Sequence, residues 1–202
     1  MKKLITLALA LCMALSATVC VSAAEINSDG GSGSTPVYLS STNDGTMDGE
    51  PSATAMSVTV PTALPMAMSQ TGDVTTADNC QIINHSYGAV RVKSVTISAE
   101  NGWRLTAFGD KATLASEKVD SNQLGFAICV GDGAWAVTDR SNESAQALIS
   151  APIAGCYMSG AGNAANNAVS VDYSAIVTPL STPVTNANIA NVVFVIEWDT
   201  AA

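Results

Sequence analysis

Between Met56 and Leu105 apolar and polar residues alternate with a period of two, and this alternation limits the chain to β-structure more tightly than any other feature. Met56, Val58 and Val60 share one side of an extended chain, Ser57 and Thr59 the other, and Pro61 ends the run. Thr71-Gly72-Asp73 and Asn84-His85-Ser86-Tyr87-Gly88 are turn sequences, because Gly and Asn accept the backbone angles that reverse a chain. From Ala89 to Ala99 the apolar positions are Val90 and Val92, then Val95, Ile97 and Ala99, so their parity changes across Lys93 and Ser94. A β-bulge there keeps both halves on the same core and sends Arg91, Lys93, Thr96 and Ser98 towards water.

The same logic runs on to the end of the chain. Trp103 and Leu105 face one way, Arg104 and Thr106 the other, and the polar residues 109–123 read as a loop with a short strand or helical turn. Leu124, Phe126, Ile128 and Val130 share one face while Gly125, Ala127 and Cys129 share the other; a strand apolar on both faces belongs in the middle of a sheet. Gly131-Asp132-Gly133 turns it into a hairpin with residues 134–137. Further strands are expected at 146–150, 169–177 and 192–198, with Phe194, Ile196 and Trp198 on the core side of the last. Residues 155–168 form a long small-residue loop without P-loop or dinucleotide spacing, and Pro179 and Pro183 bound a connection that cannot stay helical. No segment sustains a helical period for ten residues. Eight to ten short strands separated by turns predict an all-β chain, an antiparallel β-sandwich of immunoglobulin-like general architecture.

Lys2 and Lys3, an apolar run from Leu4 to about Val19, and Ser22-Ala23-Ala24 have the order of a secretory signal peptide cleaved after Ala24. The expected organisation is therefore signal peptide 1–24, a Gly/Ser/Thr/Asp-rich flexible leader 25–55, and a sandwich domain 56–202. The leader's composition buries too little apolar surface to order itself, but Pro36-Val37-Tyr38-Leu39 inside it favours a strand at 35–41. Such an edge strand pairs with its own sheet or is supplied to a neighbouring molecule's. No membrane span is expected in the mature chain. Without Lys2 and Lys3, six basic residues stand against 17 acidic, a net charge of −11, which excludes nucleic acid and anionic lipid as partners. A secreted, extracellular location, with retention at the bacterial surface, fits that charge.

Three cysteines, Cys80, Cys129 and Cys156, remain after processing, an odd number with no CxxC spacing and a single histidine beside them, so no metal site or cofactor is expected. Either all three are buried thiols, or Cys129 pairs with Cys156 and leaves Cys80 over. The acidic run Asn43 to Glu50 reads as a solvated turn; its spacing does not match an EF-hand Ca²⁺ loop.

No catalytic residue is expected. His85 lies in a turn with no nucleophile signature beside it, and no pair of carboxylates is singled out. Exposed tryptophan on a β-sandwich makes a platform for sugar rings, and Trp135, next to a tight turn, is the candidate glycan contact; Trp103 and Trp198 fall on core parity. Gly102-Trp103-Arg104-Leu105 in mid-domain and Glu197-Trp198-Asp199 in the last strand resemble the WxL cell-surface domain of Gram-positive bacteria. That resemblance implies a non-enzymatic surface protein held without covalent linkage to a cell-wall polymer, with Trp103, Leu105 and Trp198 as wall-contact residues. Its second motif departs here, because Asp199 and Thr200 follow Trp198 where Leu is expected. The function expected is an exported structural or adhesive surface protein; a carbohydrate-binding module and a fibre subunit assembled by strand donation are the alternatives. Partners expected are wall polymer or other surface subunits, including copies of itself.

Overall fold

The parity switch at Lys93 is where the architecture is decided, and the strand that contains it pairs as the sequence demands. A computed structural model describes residues 23–38, 55–69, 73–109 and 111–199. Its elements in chain order are β1 (Ala23–Glu25), β2 (Ser32–Tyr38), β3 (Val58–Pro61), β4 (Met66–Met68), β5 (Val74–Thr76), β6 (Gln81–Asn84), β7 (Val90–Ala99), β8 (Arg104–Thr106), α1 (Lys111–Ala115), β9 (Gln123–Val130), β10 (Ala136–Val137), β11 (Ala145–Ile149), β12 (Tyr157–Met158), β13 (Ala168–Val177) and β14 (Asn188–Trp198). Along the β7–β14 ladder Val195 faces Ser94 and Ile196 faces Val92, so Lys93 is the residue left over. The bulge it forms returns Val90, Val92, Val95 and Ile97 to one buried face. Lys93 is exposed as expected, whereas Arg91, Thr96 and Ser98 are half-buried beneath their cross-strand neighbours.

Two sheets pack face to face. One runs β1-β3-β6-β13-β9-β10 with β8 also on β9; the other runs β11-β7-β14-β2 with β12 also on β7. Their inner faces meet in one core, to which β9 gives Leu124, Phe126, Ile128 and Val130 and β14 gives Val192, Phe194 and Ile196. Burying such side chains is the main favourable term in folding, at about 25 cal/mol per Å² of apolar surface. The all-β sandwich is thus the fold. β9 is buried along both faces from Leu124 to Val130 and lies inside its sheet, as its sequence predicts.

Several local expectations need correction. The β8–β9 pair is parallel, in a sandwich otherwise paired antiparallel. Thr106, on the side of β8 opposite Leu105, is buried as Leu105 is, and the buried Thr138 hydroxyl donates to Thr106 O at 2.6 Å and accepts from Phe126 N at 3.0 Å. The loop expected at 155–168 contains β12, and the last strand starts at Asn188, four residues early. In the expected leader, residues 32–38 form β2 on the outer edge of β14, so the strand expected at 35–41 starts earlier, at Ser32; residues 39–41 lie outside the described residues. β2 begins in Ser-Gly-Ser because an edge ladder bonds backbone to backbone and asks little of side chains. The acidic run 43–50 lies outside the described residues, as do residues 71 and 72 of the Thr71–Asp73 turn.

One polar knot fixes the end of the sandwich where β6, β9 and β14 finish. Asn84 is fully buried; its Nδ2 donates to Gly88 O at 2.9 Å and to Ser159 O at 2.8 Å, and its Oδ1 accepts from Ser86 N at 2.9 Å. Ser86, also buried, accepts from Ser57 N through Oγ at 2.8 Å. Each bond is modest, but a partner removed leaves desolvated groups unpaired. Asn84→Ala should therefore lower the unfolding free energy in urea by about 2–4 kcal/mol. Asn163→Ala, at an exposed position in the neighbouring loop, should change it by less than about 0.5 kcal/mol. Equal effects would contradict the knot.

Candidate functional site: the aromatic loop end

The end secured by Asn84 is also where the chain exposes its aromatic rings. Three loops meet there. The β9–β10 turn at residues 131–135 packs against residues 154–155, where a Cβ on Gly155 would run into Val130 O and Gly133 N. Gly155 holds φ +89°, so this close approach suits glycine twice over. Two residues on, β12 pairs with the start of β7, Tyr157 opposite Arg91 and Met158 opposite Val90. After β12 the chain reaches the β6–β7 loop, where Ala161 N donates to Ser86 O at 2.7 Å and Gly160 leaves no room for a side chain beside Tyr87 O. Residues 154–161 therefore join the turn that carries Trp135 to the loop that carries Tyr87, with Tyr157 between them.

All three rings are open to solvent: Tyr87 is 55% exposed, Trp135 53% and Tyr157 47%. Val119 and Val184, exposed at the opposite end, are aliphatic. Beside Tyr157, a row of charges crosses the outer face of the second sheet. Arg91 Nε donates to Glu197 Oε1 at 2.8 Å and its Nη1 to Asp199 Oδ1 at 3.3 Å, and Lys93 Nζ lies 3.0 Å from Glu197 Oε2. Arg91 and Lys93, two apart on β7, share this outer face and reach the same carboxylate. Hydrogen bonds from Lys93 and Arg91 hold the Glu197 carboxyl below its ordinary range, and the bond to Glu197 raises Arg91 further. The result is a set of donors and acceptors held in place next to an exposed ring, the pairing of apolar face and polar edge that a sugar presents to a protein.

The other expected site residues are dispersed. Trp103 is half-buried against the core and Leu105 is fully buried. Trp198 is half-buried at the aromatic end, lying across Gly88 and paired with Val90, the first residue of β7. Trp103 follows Ala99, the last residue of β7, by four positions. The ten residues of β7, nine steps or about 30 Å, thus lie between the two tryptophans, and no single surface holds both Trp motifs. His85 donates its backbone N–H to Ser57 O, and its Nε2 lies 3.0 Å from Thr59 Oγ1, which fixes the ring against β3.

Cys80, Cys129 and Cys156 are buried thiols, and the bridge considered between Cys129 and Cys156 is not formed. Cys129 Sγ is turned instead to Gly133 O at 3.1 Å and Gly131 O at 3.4 Å. Burial pushes both thiols up, with Asp172 and Asp132 adding to the effect at Cys129, so both stay protonated and unreactive at neutral pH. Among the described residues no group of three or more His, Cys, Asp or Glu side chains converges as a metal site, and no helix is long and apolar enough to cross a membrane.

Trp135, the candidate glycan contact expected from the sequence, is exposed, and so are Tyr87 and Tyr157, which the sequence did not single out. A signal existed for Tyr157, a lone aromatic in a run of small residues; its cross-strand partner Arg91 comes from β7, and spacing cannot show it. No protein-family model, curated protein or solved structure matches the chain.

The charge row makes a pH prediction. Glu197 has a folded-state value below its ordinary 4.5, so its contribution to stability is present above that value and disappears as pH falls through the lower, folded one. Wild type should exceed Glu197→Gln in stability at pH 7, and the gap should close as pH falls below the ordinary 4.5. A gap that stays constant over that range would show that the carboxylate's charge is not what holds the row.

Proposed function

We propose that this chain is an exported, non-enzymatic protein of the bacterial cell surface that adheres to a wall polysaccharide by non-covalent contact through its aromatic loop end. The observation that carries this reading is the gathering of Tyr87, Trp135 and Tyr157, all exposed, on three touching loops at one end of a rigid sandwich. Aromatic rings offer large apolar area at little conformational cost, and loops at the end of a sandwich are where such scaffolds carry recognition. The ion-paired row of Arg91, Glu197, Lys93 and Asp199 supplies hydrogen-bonding groups of balanced charge beside them. A hydroxyl-rich polymer with little charge of its own fits that surface. The signal peptide expected at residues 1–24 and the acidic composition support export, and the WxL resemblance supports wall attachment. The contact surface proposed here is the aromatic end and not Trp103 with Leu105, whose side chains support the core.

Binding of the purified mature protein to isolated cell walls tests this. Trp135→Ala and Tyr157→Ala should each weaken binding roughly tenfold, equivalent to about 1.4 kcal/mol, with unchanged circular dichroism. Trp103→Ala should lower the melting temperature and leave binding by the folded protein intact. Loss of binding in Trp103→Ala with normal binding in Trp135→Ala and Tyr157→Ala would move the contact to the Trp-x-Leu motif. No binding to any wall fraction, with the protein recovered only from the culture medium, would overturn the surface reading.

A further inference from the structure

Both sheets end, on the same flank, in strands drawn from one N-terminal segment. β1 pairs with β3, Ala23 to Pro61, Ala24 to Val60 and Glu25 to Thr59, and Ile26 N donates to Val58 O at 3.1 Å. The chain then turns at Ser28–Gly31 and crosses to the other sheet, where β2 runs along β14 from Ser32 opposite Val195 to Tyr38 opposite Asn188. Ile196 N donates to Gly31 O at 3.0 Å, Trp198 N donates to Asp29 Oδ1 at 2.9 Å, and the buried Thr35 hydroxyl donates to Pro61 O, tying the two edges together. Residues 23–38 are thus a strap across the flank, covering the edges of β3 and β14.

Three properties set this strap apart from the other strands. Its bonds are mostly backbone to backbone, so the same segment from another copy would make all of them. Its described side chains give the core little: Ile26 and Thr35 are buried, against Ile189, Val192, Phe194 and Ile196 from β14. Its connection to β3 is also longer than the path requires. Tyr38 lies opposite Asn188 at one end of the sandwich and Val58 opposite Asn84 at the other, so the chain must return along the sandwich by about 20 Å. The connection, residues 39–57, holds 19 residues and spans up to roughly 65 Å when extended. Cleavage after Ala24, expected from the sequence, would also remove two of the three β1 ladder positions, Ala23 and Ala24, and loosen the strap's hold on β3.

We propose that the strap is exchanged between copies: residues 25–38 of one mature chain lie on the β3 and β14 edges of a second copy, in the register seen within one chain. The receiving edges would otherwise be open templates for strand addition, and an identical strap closes them without a new interface having to be built. Within one molecule the tether gives the strap a high effective concentration for its own edges, so exchange becomes populated where copies are crowded, as on a cell surface. Reciprocal exchange closes a two-fold dimer and head-to-tail exchange extends a chain of subunits. This inference does not rest on wall binding, since it is drawn from the ladders on β3 and β14, in which Tyr87, Trp135 and Tyr157 take no part.

Ser34 and Val193 face each other across the β2–β14 ladder and supply the test. The mature chain carrying Ser34→Cys is mixed at high concentration with the mature chain carrying Val193→Cys, warmed below the melting temperature, cooled and oxidised. A disulfide joining position 34 of one variant to position 193 of the other, identified by mass mapping, is the expected result. The double variant Ser34→Cys/Val193→Cys serves as reference: it should bridge internally when dilute, which shows that both substitutions fold and that the thiols meet, and between molecules when concentrated. An internal bridge at every concentration, with no mixed species, overturns the proposal. Absence of both bridges overturns it as well, because the register on which it stands would then be wrong.

Discussion

The antiparallel ladder between β7 and β14 is the constraint from which the rest of the structure follows. Both strands are long, and both must keep one face on the core along their whole length. Side chains alternate strictly, so a change of parity in one strand must be absorbed by one unpaired residue or half of the strand would turn its valines to water. Lys93 is that residue. Its placement keeps Val90 and Val92 inside with Val95 and Ile97. One local irregularity thereby keeps the whole length of β7 on the core.

From this ladder the two ends and the two flanks acquire different roles. At the start of β7, β12 adds a short third partner and places Tyr157 beside Arg91, while the buried Asn84 knot holds the adjoining loops. Rigid support of this kind lets exposed rings stay exposed, because the loops that carry them are anchored by hydrogen bonds and not by burying the rings. The outer edge of β14, unused by β7, is taken by β2, and the facing edge of β3 by β1. Edge strands are a hazard in any sandwich, and this chain meets it with a separate segment whose bonding is largely independent of side chains.

Much of the fold was legible in the sequence because it is written in parity. The bulge at Lys93, the central position of β9 and the hairpin after Val130 all follow from which residues are apolar and which are turn formers. What depended on partners distant in sequence was not legible. β2 was visible as an island at Pro36-Val37-Tyr38, but its true start at Ser32 is set by the backbone of β14. The buried hydroxyl of Thr138 bonds to both strands of the parallel β8–β9 pair, and nothing in the local pattern of Thr106 announces it. For the candidate site, Trp135 could be picked out beside its turn, whereas Tyr87 and Tyr157 join it through contacts among loops far apart in sequence. Trp103 and Trp198 look like a pair in the sequence and stand at opposite ends of β7.

The loop end carrying Tyr87, Trp135 and Tyr157 is the surface proposed to meet the wall polysaccharide. Hydrogen–deuterium exchange of the mature protein, with and without solubilised wall polysaccharide, tests it most directly. Slower exchange confined to residues 86–88, 131–137 and 154–161 is the predicted result. Slower exchange around Trp103, or none anywhere at saturating polysaccharide, would contradict it.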